Sequence, residues 1–225
     1  MTDPIEPAIE REALRVYRRY AVEIVEALGF CPYAERSRVE GHTREVVMPD
    51  RTLDLGSALA AVRAIASDGS LEIGLLLFPR LYATRRELAL FVESLRAAHQ
   101  REPGGLVMAM EGFHPDAEPD TTTPERAVPF VRRTPDPTIQ LVRHAVLDRV
   151  RRGTPQGTGF FDPSTMSLEA LLSAPAARPI HERIAETNHA TIVRLGSDAV
   201  RAILDDIQRD RDRSYAPLLP PRSAP

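Results

Sequence analysis

Residues 71–113 have the sequence LEIGLLLFPRLYATRRELALFVESLRAAHQREPGGLVMAMEGF, and this stretch decides the fold. Apolar runs at its two ends are each short enough to be a buried strand. Between them, Thr84 and Glu87 have the spacing of a capping box that opens an amphipathic helix. The pattern predicts strands at 71–78 and 106–113 joined by a helix, as in a parallel βαβ unit.

A second unit of the same kind precedes this one. Residues 43–48 are a predicted strand that Pro49 stops, and apolar residues then recur at helical spacing over 55–66, with Asp50 or Thr52 as the expected start signal. Residues 8–28 are a predicted amphipathic helix ended by Gly29. The chain is therefore predicted to be α/β: a small, mainly parallel sheet of three to four strands, flanked by helices and followed by a C-terminal helical appendage.

The segment after the third strand is predicted to be a long, proline-rich loop over residues 114–137, a length typical of binding loops and lids. At its end, Asp136 and Pro137 are expected to open a helix that continues to Val150. Such a helix would place Arg132, Arg133 and Thr134 beside its free N–H groups, where an anion is favoured.

The C-terminal third predicts two further helices, over 179–195 and 199–210, with Ser197 as the N-cap of the second. The charged run at 209–214 is interpreted as a solvated helix end. We expect three regions: an α/β core domain at 1–152 with its N-terminal helix, a helical appendage at 153–214 packing on the core, and a disordered tail at 215–225.

Composition excludes several classes of protein. The 225 residues are 43% hydrophobic and 27% charged with a net charge of −3, and only 5% are aromatic, which disfavours a nucleic-acid partner. No apolar run approaches the length needed to span a membrane. Every basic residue is arginine, so no lysine is available for a phosphate loop or a Schiff base. The oligomeric state stays open.

Cys31 is the single cysteine, which is simplest to explain in a reducing, cytoplasmic compartment. It lies in FCPYAERSR (30–38), where a helix start and neighbouring arginines can depress a thiol pKa. The alternative is a buried structural cysteine.

Residues that follow strands are the other candidates, because ligands of open parallel sheets bind outside the carboxyl ends of the strands. These residues are Asp50, Arg80, His114 and Asp116. If His114 approaches Cys31, the pair would supply a base and a nucleophile, with Arg133 holding an anionic group. The leading hypothesis is accordingly a soluble, thiol-dependent enzyme acting on a small anionic substrate.

Two other classes of function stay open. One is a non-catalytic metal- or haem-binding protein that uses Cys31 as a ligand, although the histidines do not have the spacing of a metal motif. The other is a protein-interaction module, which predicts an exposed apolar face on residues 179–210. The sequence identifies no cofactor.

Three motifs occur in a recognisable order: CPYA (31–34), FHP (113–115) and RTPDP (133–137). In this respect residues 15–150 resemble the bacterial domain-of-unknown-function family fourteen-fifteen. The resemblance implies no activity, but it points to five residues as the ones that matter: Cys31, His114, Arg44, Arg133 and Thr134. It also leads us to expect an acidic residue after Arg143, where this chain has His144. Locally, FCPYAERSR resembles the cysteine motif of glutaredoxins and omega-class glutathione transferases.

Overall fold

The computed structural model describes residues 7–31, 33–105, 107–118, 120–152 and 180–219. Within these residues the chain forms four strands, eight α-helices and one π-helical segment. The strands are β1 (Thr43–Val47), β2 (Ile73–Leu77), β3 (Met108–Phe113) and β4 (Thr138–Arg143). The helices are α1 (Pro7–Tyr20), the π-helical segment Ala21–Glu26, α2 (Ala34–Val39), α3 (Leu55–Ser67), α4 (Arg85–Gln100), α5 (Pro124–Val131), α6 (His144–Arg152), α7 (Ile180–Leu195) and α8 (Ser197–Tyr215).

The four strands form one sheet in the order β1-β2-β4-β3. β1 and β2 are parallel, whereas β4 runs antiparallel to both of its neighbours, β2 and β3. The predicted α/β class, the size of the sheet and the C-terminal helices are confirmed. The prediction of a mainly parallel sheet is wrong, because β4 inserts between β2 and β3 and makes two of the three pairings antiparallel.

The origin of this difference is the segment after Asp136, which was predicted to be helical. Ile139, Val142 and Val146 have helical spacing, but the segment TIQLVR is rich in β-branched residues, which favour strands. β4 pairs on both sides, and Ile139 and Leu141 are fully buried in the sheet. Tertiary pairing therefore overrides the local periodicity, and a helix (α6) begins only at His144.

The loop predicted at 114–137 also contains an element that the sequence reasoning missed. Residues Pro124–Val131 form α5, with Thr123 as N-cap accepting from the Arg126 N–H at 3.3 Å and Pro124 in the first turn. The other predicted helices are close to their observed bounds. The capping box of Thr84 and Glu87 is confirmed at the start of α4. The start signal of α3 is Asp54, which accepts from the Ser57 N–H, and not Asp50 or Thr52.

The core has two apolar layers, one on each face of the sheet. The first packs α3 and α4 against side chains that include Leu76 and Phe78 of the β2 region. The second packs α1, α5, α7 and α8 against the opposite face, including Leu75 and Leu77. β2 is buried along its whole length between these layers, as expected for a central strand.

The N-terminal and C-terminal helices differ from expectation in detail. The helix predicted over 8–28 is α-helical only to Tyr20 and continues as the π-helical segment before Gly29, which has φ 67°. Gly196 and not Ser197 is the N-cap of α8. The predicted tail includes Tyr215, which is buried, and its carbonyl accepts from the N–H groups of Leu218 and Leu219. Residues 153–179, the first part of the predicted appendage, lie outside the described residues.

Candidate functional site

One edge of the sheet collects the ends of all four strands. Val47, Leu77 and Phe113, the last residues of β1, β2 and β3, lie in one register row with Thr138, the first residue of β4. The carboxyl ends of three strands and the amino end of the fourth therefore lie level at this edge, which we call the carboxyl edge. Six buried polar residues lie on it: Asp50, Arg80, His114, Thr134, Asp136 and Thr138.

Arg80 is the most unusual of these residues. It follows β2 in a turn closed by a hydrogen bond from Leu81 N–H to the Phe78 carbonyl, and its exposed fraction is only 6%. Its Nε is buried without a hydrogen-bond partner, and no ion pair joins its guanidinium to any carboxylate among the described residues. A buried donor left without a hydrogen bond typically costs about 1–3 kcal/mol. The Nε–H of Arg80 is therefore a buried donor whose hydrogen bond the described residues do not supply.

Asp50 follows β1 on the neighbouring strand and is 7% exposed. Its own backbone N–H contacts the carboxylate, but Oδ2 is buried without a partner among the described residues. Burial raises the pKa of this carboxyl, with a smaller contribution from Asp54. Because Asp54 caps α3, Asp50 is not used as a helix cap. It is the second polar side chain at the edge whose hydrogen-bonding capacity is unfilled.

A buried clamp holds the C-terminal helix against the same edge. Asp136, 2% exposed, accepts from Arg211 at 2.9 Å and from the Tyr215 hydroxyl at 2.6 Å. Arg211 also donates to the Pro79 carbonyl at 3.3 Å, directly before Arg80. The interpretation of the charged run at 209–214 as a solvated helix end is thus wrong for Arg211, whose side chain is only 15% exposed. No local pattern distinguishes this arginine, because its partner is 75 residues away.

His114 braces the same edge through the backbone. Its Nε2 donates to the Ala83 carbonyl at 2.9 Å, and its Nδ1 accepts from the Asp116 N–H at 3.1 Å. Both ring nitrogens are therefore engaged, which requires the neutral ring with its proton on Nε2. His114 ties the end of β3 to the segment that follows Arg80. A role as base for Cys31 would require one of these bonds to break, so the role stays a prediction.

Cys31 lies between the π-helical segment and α2 and is partly buried. Its sulfur accepts from the backbone N–H groups of Tyr33 and Ala34, which favour the thiolate. Burial nevertheless raises the pKa of the thiol, so the shift is opposite to the depressed value that the sequence context suggested. Cys31 in turn contributes to raising the pKa of the Tyr17 and Tyr20 hydroxyl groups. The direction of this shift favours the thiol over the thiolate.

The four predicted binding residues divide into different environments. Thr134 is fully buried and donates to the Asp136 carbonyl at 2.7 Å, so it shapes the turn before β4. Arg133 donates to the Pro115 carbonyl at 3.2 Å near the carboxyl edge. Asp116 is at the edge, but its side chain is 86% exposed. Arg44 lies near the start of β1 and pairs with Asp68, away from the carboxyl edge. The helix N-terminus expected beside Arg133 is replaced by β4.

The described part of the chain has neither a cluster of metal-ligating side chains nor a membrane-spanning helix. Among these residues, no group of three or more histidine, cysteine, aspartate or glutamate side chains is arranged to hold a metal ion. None of the helices described is both long enough and apolar enough to cross a membrane. In the second core layer lie Ile192 of α7 and Val200, Leu204 and Ile207 of α8, whereas Val193 and Leu195 of α7 are 65% and 39% exposed.

The fold and the carboxyl edge together define an α/β protein with buried polar side chains where the strands end, two of which keep an atom without a hydrogen-bond partner among the described residues. The chain belongs to the family DUF1415, described as a protein of unknown function, whose model matches residues 13–175. This match confirms the resemblance drawn from the three short motifs. Searches of curated proteins and of solved structures found no significant match.

Proposed function

We propose that this protein binds a small anionic molecule at the carboxyl edge of its sheet and acts on it as an enzyme, with Arg80 as the anchor for the anion. The observation that carries the proposal is the buried Arg80 side chain, whose Nε–H has no acceptor among the described residues and whose guanidinium pairs with none of their carboxylates. Guanidinium groups bind carboxylates and phosphates through two parallel hydrogen bonds, and such pairs are among the strongest in proteins.

The position of Arg80 supports the same conclusion. Open α/β sheets bind ligands outside the carboxyl ends of their strands, where backbone groups and side chains from several loops meet. The segment around Arg80 is braced on both sides, by Arg211 at the Pro79 carbonyl and by His114 at the Ala83 carbonyl. A braced segment lowers the entropy cost of ligand binding because the anchor is already positioned.

Thiol chemistry at Cys31 is the second candidate. The two backbone N–H groups at its sulfur favour it, because they would stabilise a thiolate once one formed. Burial acts in the opposite direction, so the nucleophile would need to be activated by the substrate or by a movement of the surrounding residues. The proposal for Arg80 does not depend on this candidate, and the two are tested by different variants.

The test is a panel of anions, beginning with inorganic phosphate and acetate, titrated into the wild-type protein and into Arg80→Gln, with thermal unfolding as the readout. A ligand at one hundred times its dissociation constant stabilises the native state by about 2.7 kcal/mol. We expect Arg80→Gln to abolish this stabilisation and Arg80→Lys to weaken it. The matched control is Arg86→Gln, because Arg86 is exposed on α4, six positions further along the chain.

The proposal is overturned if no anion stabilises the wild-type protein, or if Arg80→Gln responds as strongly as the wild type. Arg80→Lys keeps the experiment informative if Arg80→Gln does not fold, since it retains the charge and loses only the planar fork.

A further inference from the structure

Asp50 and Arg80 follow the neighbouring strands β1 and β2 at equivalent sequence positions. Val47 and Leu77 are register partners at the ends of β1 and β2, and Asp50 and Arg80 each follow three residues later. Met48 and Phe78, which come two residues before Asp50 and Arg80, both pack in the apolar layer that contains α3 and α4. Two residues of opposite charge thus follow adjacent parallel strands, each three residues after a pair of register partners at the carboxyl edge.

These opposite charges do not neutralise each other. No nitrogen of Arg80 lies within 4.0 Å of a carboxylate oxygen of Asp50, although both side chains are more than nine-tenths buried. Each instead retains a buried atom without a partner, Oδ2 of Asp50 and Nε of Arg80. Buried polar groups are normally hydrogen-bonded, and buried charges are normally paired. A single molecule that contacts both Asp50 and Arg80 would supply the hydrogen bonds that Oδ2 and Nε lack.

We infer that the ligand is bipolar: it carries an anionic group for Arg80 and, a short distance away, an ammonium or hydroxyl group that donates to the Asp50 carboxylate. This inference rests on the proposed function and adds the chemical class of the ligand to it. A simple anion would satisfy Arg80 and leave Asp50 unpaired, whereas a bipolar molecule satisfies both groups at once.

The electrostatics at Asp50 agree with a donor as its partner. Burial raises the pKa of the carboxyl because the charged form lacks compensation, and Asp54 adds to the same effect. An ammonium or hydroxyl group that donates to the carboxylate would favour the charged form and reverse the shift. The anionic group belongs at Arg80 and not at Asp50, since an anion beside a carboxylate would be repelled.

Two sets of closely matched ligands distinguish the contribution of the anionic group from that of the hydroxyl or ammonium group. Propionate, lactate and alanine share a carboxylate and differ mainly in carrying a hydrogen, a hydroxyl or an ammonium group on the α-carbon. Ethyl phosphate, 2-hydroxyethyl phosphate and 2-aminoethyl phosphate form the corresponding phosphate set. Each is titrated by calorimetry into the wild-type protein, Arg80→Gln, Asp50→Asn and the control Asp198→Asn, whose side chain is exposed in the first turn of α8.

In at least one set, we expect the hydroxyl or ammonium ligand to bind the wild type about tenfold more tightly than the unsubstituted one, a difference of about 1.4 kcal/mol. Asp50→Asn should remove most of this gain and leave the affinity for propionate or ethyl phosphate unchanged. Asp198→Asn should keep the full gain. Arg80→Gln should weaken every ligand that binds.

The outcomes distinguish failure of the inference from failure of the proposed function. If propionate or ethyl phosphate binds through Arg80 but the substituted ligands gain nothing, or gain equally in Asp50→Asn, the inference is wrong and the proposed function stands. If no member of either set binds, both are overturned. Circular dichroism of each variant verifies folding, and Asp50→Ser replaces Asp50→Asn if the latter does not fold.

Discussion

Replacing Asp136 by asparagine should destabilise the protein far more than the loss of an ordinary surface charge. Asp136 is 2% exposed and accepts from Arg211 at 2.9 Å and from the Tyr215 hydroxyl at 2.6 Å. Asparagine has almost the same shape, so the substitution opens no cavity. It removes the negative charge and replaces one acceptor oxygen with an NH₂ group that cannot accept a hydrogen bond.

The magnitude follows from what remains after the substitution. Removing one member of a buried ion pair costs about 3–5 kcal/mol, because the other charge stays buried without compensation. Arg211 keeps a contact of 3.0 Å with Asp212, whose side chain is 60% exposed, so part of its charge remains paired. We therefore expect the lower end of that range, about 3 kcal/mol. The loss of the Tyr215 hydrogen bond is included in this figure, since the three side chains form one network.

The assay is equilibrium unfolding in urea, in which the midpoint should fall while the slope with denaturant stays constant. The control is Asp206→Asn, which removes a carboxylate that pairs with Arg19 on the protein surface. Exposed pairs of this kind contribute about 0.2–1 kcal/mol. A cost for Asp136→Asn below about 1 kcal/mol, equal to that of the control, would refute the assignment of the clamp as a buried and coupled network.

Three further outcomes are expected. Gly74→Ala should lower the free energy of unfolding by about 1–3 kcal/mol, because a Cβ at this position would lie 2.9 Å from side-chain atoms of Ile65. The assay is unfolding in urea, and the control is Gly69→Ala, where a Cβ would meet open space. His99 is buried with both ring nitrogens unpartnered among the described residues, and burial lowers its pKa, with His144 adding to the effect and Glu102 opposing it. The free energy of unfolding should therefore fall as the pH drops below about 6.5, the pKa of a histidine in the unfolded chain. His99→Leu should flatten this pH dependence. An equally steep dependence in His99→Leu would show that His99 is not its source. Alkylation of native Cys31 should titrate above the unfolded reference of about 8.5, and a lower native value would restore the thiolate hypothesis.

Much of the fold was accessible from the sequence because it depends on local signals. The strands β2 and β3 lie in short, largely apolar runs, Pro49 follows β1, and the capping box at Thr84 marks the start of α4. These features are encoded within a few residues of one another. The observed elements consequently lie within a few residues of their predicted bounds.

The missed features depend on contacts between distant parts of the chain. β4 has a helical periodicity that only pairing with β2 and β3 overrides, and the order of the strands has no local signature. The clamp joins Asp136 to Arg211 across 75 residues. No pattern in RDRDRS distinguishes the buried arginine from its exposed neighbours, so its role becomes visible only in three dimensions.

The candidate site was predicted in part. The rule that ligands bind at strand ends selects Asp50 and Arg80 from the sequence, but it cannot show that both are buried and that each has an atom without a partner among the described residues. The motif residue His114 does lie at this edge, where its ring nitrogens contact backbone groups. Arg44 is held at the opposite end of its strand by Asp68, an arrangement set by the register of β1.

The most direct test of the central claim follows the Arg80 side chain itself. The Nε–H resonance of Arg80, identified in nitrogen-15 spectra by its disappearance in Arg80→Gln, is recorded while 2-aminoethyl phosphate is titrated into the protein. The account predicts a saturable shift of this resonance, with the Nε–H resonances of exposed arginines such as Arg86 largely unmoved. Saturable binding that leaves the Arg80 resonance in place and shifts resonances elsewhere would contradict the account.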